Sequence, residues 1–174
     1  MTDENLPRRR FLRGEFLRTL QSERTALQGF QGVRPPWAKA NQTFIDACTR
    51  CGDCVAACET HILIQGEGGF PEIDFQRGEC TFCEKCVSAC SASVFRPTNE
   101  MPWQHKADIG ENCLTRQNVA CRSCQDCCES RAIRFTLALG RVAAPTIDES
   151  ACNGCGACIR SCPVAAIKLS YPEE

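Results

Sequence analysis

Cysteine spacing constrains this chain more than any other feature. Cys48, Cys51, Cys54 and Cys58 stand as C-x2-C-x2-C-x3-C. The same run returns at Cys80, Cys83, Cys86 and Cys90, and again at Cys152, Cys155, Cys158 and Cys162, the last followed by Pro163. This is the four-thiolate spacing that holds iron–sulfur cubanes. Each iron of a cubane offers one outward coordination site, so the ligands must wrap a compact body from several directions. Three thiolates on a tight turn cup three irons, whereas the fourth lies one helical turn further on and points away. In paired sites, that fourth cysteine ligates the neighbouring cluster.

Two other uses of cysteine fit less well. Zinc sites usually separate two C-x2-C pairs by a long gap, unlike three regular runs of four. Disulfides would suit a chain in which 17 of 174 residues are cysteine, but they need an oxidising compartment and a secretory leader, and neither is indicated.

A further run is irregular, offering Cys113, Cys121, Cys124, Cys127 and Cys128. Two readings stand. C-x7-C-x2-C-x3-C uses Cys113, Cys121, Cys124 and Cys128 and leaves Cys127 over. C-x2-C-x2-C uses Cys121, Cys124 and Cys127. The first is preferred, because the gap from Cys124 to Cys128 matches 54–58, 86–90 and 158–162 and sets the exchanged ligand on the same helical face. The longer loop after Cys113 costs little chain entropy. Exchange of last ligands then predicts four [4Fe-4S] clusters. The first takes Cys48, Cys51, Cys54 and Cys90, and the second Cys80, Cys83, Cys86 and Cys58. The third takes Cys113, Cys121, Cys124 and Cys162, and the fourth Cys152, Cys155, Cys158 and Cys128. Should the irregular run hold none, three clusters remain with re-paired ligands.

The expected fold is α+β: two tandem ferredoxin-like halves of short helices and small antiparallel sheets, plus a basic N-terminal extension. Residues 41–97 form the first half, with strands at Ile62 to Ile64, at Pro71 to Phe75 and at a closing Val94-Phe95, in a βαβ-type order. Residues 98–110, holding Pro102 and Trp103, read as the connection. Residues 111–174 repeat the plan, with strands at Ile133 to Leu137, Val142 to Ile147 and Ile167 to Leu169. Gly52, Ala56, Ala57, Ala89, Gly154, Gly156 and Ala157 let backbone amides approach the sulfurs, which raises reduction potentials, although such residues also serve packing. His61 and His105 lack the paired arrangement of a Rieske centre and are not expected to be ligands.

Residues 1–40 contain no cysteine and carry Arg8, Arg9, Arg10, Arg13, Arg18, Arg24, Arg34 and Lys39. Arg8-Arg9-Arg10-Phe11-Leu12-Arg13 looks like a twin-arginine signal, but Gly-Glu-Phe-Leu-Arg follows where an apolar h-region should stand. The chain is therefore expected to remain cytoplasmic. A short basic helix with Leu12, Phe16, Leu17 and Leu20 on one side suits partner docking, against the plain alternative of a frayed terminus. Trp37, after Pro35 and Pro36, is expected to pack on the first half rather than stand as an exposed anchor. No apolar run approaches the ~20 residues of a membrane span. The formal charge is −1, and four clusters would add about eight negative charges, favouring basic partner surfaces. No dinucleotide fingerprint, Walker motif or nucleophile–base pair is present, so an enzyme is not expected. A nucleic-acid partner is not expected either.

Over nearly its whole length the chain resembles the NapF family, ferredoxin-type accessory proteins of the periplasmic nitrate reductase system. The resemblance rests on the Arg-rich start, Gly32-Val33-Arg34-Pro35-Pro36-Trp37, Cys48-Thr49-Arg50-Cys51, the irregular Cys113…Cys121-Arg122-Ser123-Cys124-Gln125-Asp126 run, and Cys152-Asn153-Gly154-Cys155-Gly156-Ala157-Cys158. Ser91 departs from the proline that often follows a fourth cysteine, and Cys127 is surplus. The resemblance implies a cytoplasmic protein that contacts the molybdenum-containing catalytic subunit of periplasmic nitrate reductase before export and assists its maturation. Electron carriage between a dehydrogenase and an oxidoreductase is the competing reading, and a cluster-stabilised binding module is a third.

Overall fold

The structure is a computed structural model that describes residues 32–138 and 140–171. The basic helix expected over Leu12 to Leu20 lies outside them. Helices are short: α1 (Asn41–Ala47), α2 (Asp53–Ala56), α3 (Lys85–Ser88), α4 (Ser123–Asp126) and α5 (Ala157–Ser161). Strands are β1 (Leu63–Gln65), β2 (Pro71–Ile73), β3 (Lys106–Ile109), β4 (Ile133–Ala138), β5 (Arg141–Ile147) and β6 (Ile167–Ser170). They form three two-stranded antiparallel sheets, β1–β2, β3–β6 and β4–β5.

Two hairpins repeat one design. In the first, Leu63 faces Ile73 and the Asp74 amide closes on the Ile62 carbonyl at 2.8 Å. In the second, Ile133 faces Ile147 and the Asp148 amide closes on the Ala132 carbonyl, also at 2.8 Å. Each aspartate then accepts an amide two residues on, Gln76 at 2.9 Å and Ser150 at 3.1 Å, turning the chain into the next cysteine run. Ile62 is only 1% exposed. Burying a side chain of that size contributes about 2 kcal/mol, so the hairpin bases are the apolar anchors of the fold.

The structure differs from the sequence reading in two places. Residues 98–110, read as a connection, contain β3, whose Ala107 and Ile109 point inward and pair with Leu169 and Ile167 of β6. Residues 33–38, expected at the end of the basic extension, pair with the chain on either side of the second cysteine run. Val33 bridges Ile73 and Ala38 bridges Phe95, so the strand expected at Val94-Phe95 is a single bridge to this segment. Trp37 is buried as expected, its indole N–H donating to the Glu100 carbonyl at 2.9 Å. Trp103 donates to the Arg34 carbonyl at 3.1 Å. The two indoles fasten the connecting segment onto the chain that precedes the first run, because a buried indole N–H must find an acceptor.

Phe75, Phe82, Trp103 and His105 meet ring to ring at the base of this segment, with centroids 4.8–6.0 Å apart in the contacting pairs. Phe75 fills the space beside Gly156, where a Cβ would stand 2.0 Å from its ring. The two hairpin layers thus share an aromatic seam.

Candidate metal centres

The regular runs share a backbone device. The residues flanking the second cysteine are left-handed in each: Arg50 and Gly52 (φ 60° and 87°), Phe82 and Glu84 (55° and 59°), Gly154 and Gly156 (76° and 84°). Alternating hand curls the chain so that successive amides face one side, a concavity suited to anionic sulfur. Arg50, Phe82 and Glu84 hold this conformation without being glycine, at about 1–2 kcal/mol each. The irregular run lacks it; Arg122 has φ −136° and ψ 11°. There the first thiol comes instead from Cys113, in a turn where the Arg116 amide donates to the Cys113 carbonyl at 3.0 Å. After the last cysteine of three runs, a left-handed residue closes a turn. The amides of His61, Arg131 and Ala165 return to the carbonyls of Cys58, Cys128 and Cys162 at 3.1, 3.0 and 3.2 Å. His61 is accordingly a turn residue.

These turns gather the cysteines into four pockets. Cys48, Cys51, Cys54 and Cys90 line the first, floored by Phe44 and Val94. Cys58, Cys80, Cys83 and Cys86 line the second, against Ile62 and Leu63. Cys113, Cys121, Cys124 and Cys162 line the third, against Phe135 and Ile167. Cys128, Cys152, Cys155 and Cys158 line the fourth, against Ile133 and Ile147. In every pocket, the last cysteine of a run has crossed to join three from its neighbour. Cys127 lines none of the four; its Sγ stands 3.1 Å from Ser161 Oγ and donates to the Cys124 carbonyl at 3.4 Å.

The third cysteine of each regular run, Cys54, Cys86 or Cys158, opens a short helix and is buried, whereas Cys51 and Cys83 are exposed at the rim. Burial, with neighbouring thiols adding repulsion, pushes Cys54, Cys80, Cys86 and Cys158 up to about 12 and Cys124 up to about 11. Four thiols cannot ionise together in so apolar a pocket unless a cationic body stands among them. All seventeen cysteines are free of disulfides. Among the described residues, no three Cys, His, Asp or Glu side chains close on a single metal ion. Four thiols lining one pocket match in number the outward coordination sites of a cubane, one per iron.

Second partners reach the sulfurs. Phe82 N–H donates to Cys80 Sγ at 3.4 Å and Ala166 N–H to Cys162 Sγ at 3.2 Å. Hydroxyls two residues on stand beside Cys58 (Thr60, 3.7 Å), Cys113 (Thr115, 3.2 Å), Cys121 (Ser123, 3.7 Å) and Cys128 (Ser130, 3.5 Å). Once the sulfur is a thiolate, only the hydroxyl carries a proton, so the hydroxyl donates.

Two residues near the pockets carry roles that spacing did not reveal. The sequence presents Arg34 as one of the extension's basic residues and as part of the Gly32–Trp37 stretch, with no role at a pocket. Its guanidinium lies over the rings of Phe44 and Phe70, 5.1 and 5.2 Å from their centroids, and holds Asn41 Oδ1 at 3.2 Å. Burial lowers its pKa to about 10, opposed by the charges of Cys48 and Glu72, so at neutral pH it stays a cation behind the first pocket. His105 is 2% exposed, with Nε2 3.0 Å from the Gly154 carbonyl, and lines none of the four pockets. Neither role has a local sequence signal beyond the proline-rich stretch that holds Arg34.

Comparison with known proteins accords with this chemistry. The 4Fe-4S dicluster domain pattern matches residues 47–94 and the 4Fe-4S binding domain pattern matches residues 145–168. The chain is 55% identical over 170 residues to the ferredoxin-type protein NapF of Haemophilus influenzae, covering 98% of this chain and 97% of that protein. It is 46% identical over 140 residues to the ferredoxin-type protein NapF of Escherichia coli K12, covering 80% and 85% respectively. It is 30% identical over 164 residues to the methylamine utilization ferredoxin-type protein MauM of Methylorubrum extorquens, covering 83% and 74%. No solved structure matches it.

Proposed function

The chain belongs to the NapF family of ferredoxin-type proteins, and on that footing we propose that it holds four [4Fe-4S] clusters and assists cytoplasmic maturation of the catalytic subunit of periplasmic nitrate reductase. The proposed ligands are the four cysteines of each pocket, with Cys127 left free. The observation that carries the cluster reading is the crossing of Cys58, Cys90, Cys128 and Cys162 into the neighbouring run's pocket. Bound clusters would supply one-electron redox chemistry and transferable iron and sulfide. The chain's own residues curl amides and hydroxyls toward the sulfurs, bury one thiol in each of the first, second and fourth pockets, and hold Arg34 behind the first pocket. The proposed division of the chain is an extension ending near residue 32, a first half to about residue 97, and a second half opening at β3.

The client reading rests on family kinship. It is tested by expressing the molybdenum-containing catalytic subunit in cells lacking this chain and adding the chain back. Recovery of periplasmic nitrate reduction, with the precursor co-purifying with the chain, supports maturation. A catalytic subunit that is fully loaded without the chain overturns it. Electron carriage remains the second reading, favoured by the closeness of the second and fourth pockets, where Cys80 N–H donates to the Cys155 carbonyl at 2.9 Å. If reduced chain sustains turnover of an already mature catalytic subunit, carriage gains over maturation.

A further inference from the structure

We propose that the four pockets form one continuous relay, ordered first, second, fourth, third, whose halves are joined by the backbone hydrogen bond between Cys80 and Cys155. The proposal rests on the ligand assignment above and adds a path to it.

Within the first half, α2 and α3 pack together, and they carry Cys54 of the first pocket and Cys86 of the second. Within the second half, α4 packs on α5, bringing Cys124 of the third pocket beside Cys158 of the fourth. Two dicluster units could sit far apart or join through any pair of pockets. The seam selects one pair. The Cys80 amide donates to the Cys155 carbonyl at 2.9 Å, and Arg160 Nη1 donates to the Arg77 carbonyl at 3.0 Å on the same side. Phe75 lies in the notch left by Gly156, whose Cβ would stand 2.0 Å from the ring. Ligand-bearing residues of the second and fourth pockets are therefore linked by one hydrogen bond and a few covalent bonds. Tunnelling decays far less steeply along such a path than through space. The seam also covers Cys155, which is half-buried where its counterparts Cys51 and Cys83 are exposed.

With clusters held by the four cysteines of each pocket, one electron would pass from one pocket to the next along this path. No bond forms or breaks and no proton moves. The electron comes from a low-potential one-electron donor, dithionite in the test.

The test uses the full chain, purified anaerobically. In a Cys51→Ala/Cys121→Ala variant, which removes the outer sites, the reduced protein should retain about eight irons and show an EPR spectrum split by spin–spin interaction. A Cys83→Ala/Cys155→Ala variant, keeping only the outer sites, should show two isolated spins. Isolated spins in the first variant at full iron would overturn the relay while leaving the cluster assignment standing; iron well below that value would count against the assignment itself. A second measurement avoids ligand changes. Phe75→Leu in the otherwise intact chain, which loosens the seam without touching a cysteine loop, should keep about sixteen irons and weaken the between-halves part of the interaction. An unchanged spectrum would remove the Cys80–Cys155 contact as the link.

Discussion

Cys127 and Ser161 occupy equivalent positions, each just before the last cysteine of its run, and they face one another between the third and fourth pockets at 3.1 Å. The first half has Ala57 and Ala89 at these positions. A thiol engaged with a hydroxyl and a carbonyl is already satisfied. Cys127→Ser should therefore leave iron and sulfide content unchanged, whereas Cys121→Ala should lose about four irons per chain; metal analysis of both variants decides. Thr115 gives a sharper readout. Its hydroxyl, 3.2 Å from Cys113 Sγ, would stabilise the more negative reduced state, so Thr115→Val should lower one potential by ~40–60 mV, the equivalent of ~1 kcal/mol. Redox titration followed by EPR measures it. His105 titrates the other way round. Burial holds its pKa below 6.5, the Gly154 carbonyl opposing and Lys106 assisting. A depressed pKa contributes stability above 6.5 that is lost as pH falls through the folded value. Thermal stability of the loaded chain should thus fall on mild acidification, and the fall should shrink in His105→Phe. Cysteine positions were legible at this scale because cubane ligation fixes spacing. His105 and Arg34 were not, because what defines them, a carbonyl 49 residues away and two phenyl rings, is long-range.

The cysteine loops obey one rule with different residues. Left-handed backbone falls on glycine twice in the last run but on Phe82 and Glu84 in the second, so the conformation is imposed by the turn and not by glycine alone. Glycine is obligatory only where something presses on it. Gly156→Ala must displace the Phe75 ring, and its cost should be about 1–3 kcal/mol, visible as a lower midpoint in thermal unfolding. The two hairpins were readable from apolar runs closed by Pro-x-Ile-Asp. β3 was not, because Lys106-Ala107-Asp108-Ile109 offers only two apolar positions after Pro102 and Trp103, and its partner β6 lies some sixty residues on. Antiparallel pairing at that separation leaves no local trace beyond weak alternation.

At the scale of the whole molecule the repeated cysteine runs were visible in the sequence, whereas the aromatic seam was not, since ring packing among Phe75, Trp103 and His105 has no periodicity to announce it. The same geometry bears on how such a chain is made. Cys90 lines the pocket of Cys48, Cys51 and Cys54, and it follows Cys48 by 90 − 48 = 42 residues. At 5–20 residues per second, a ribosome takes about 2–8 s to deliver it. With the proposed ligands, the second pocket is complete when Cys86 emerges and the first at Cys90; the fourth is complete at Cys158 and the third at Cys162. Nascent chains would thus become fillable in two closely spaced pairs, with a long interval between them. A translation arrest between residues 90 and 158 would release a chain able to hold only the first two.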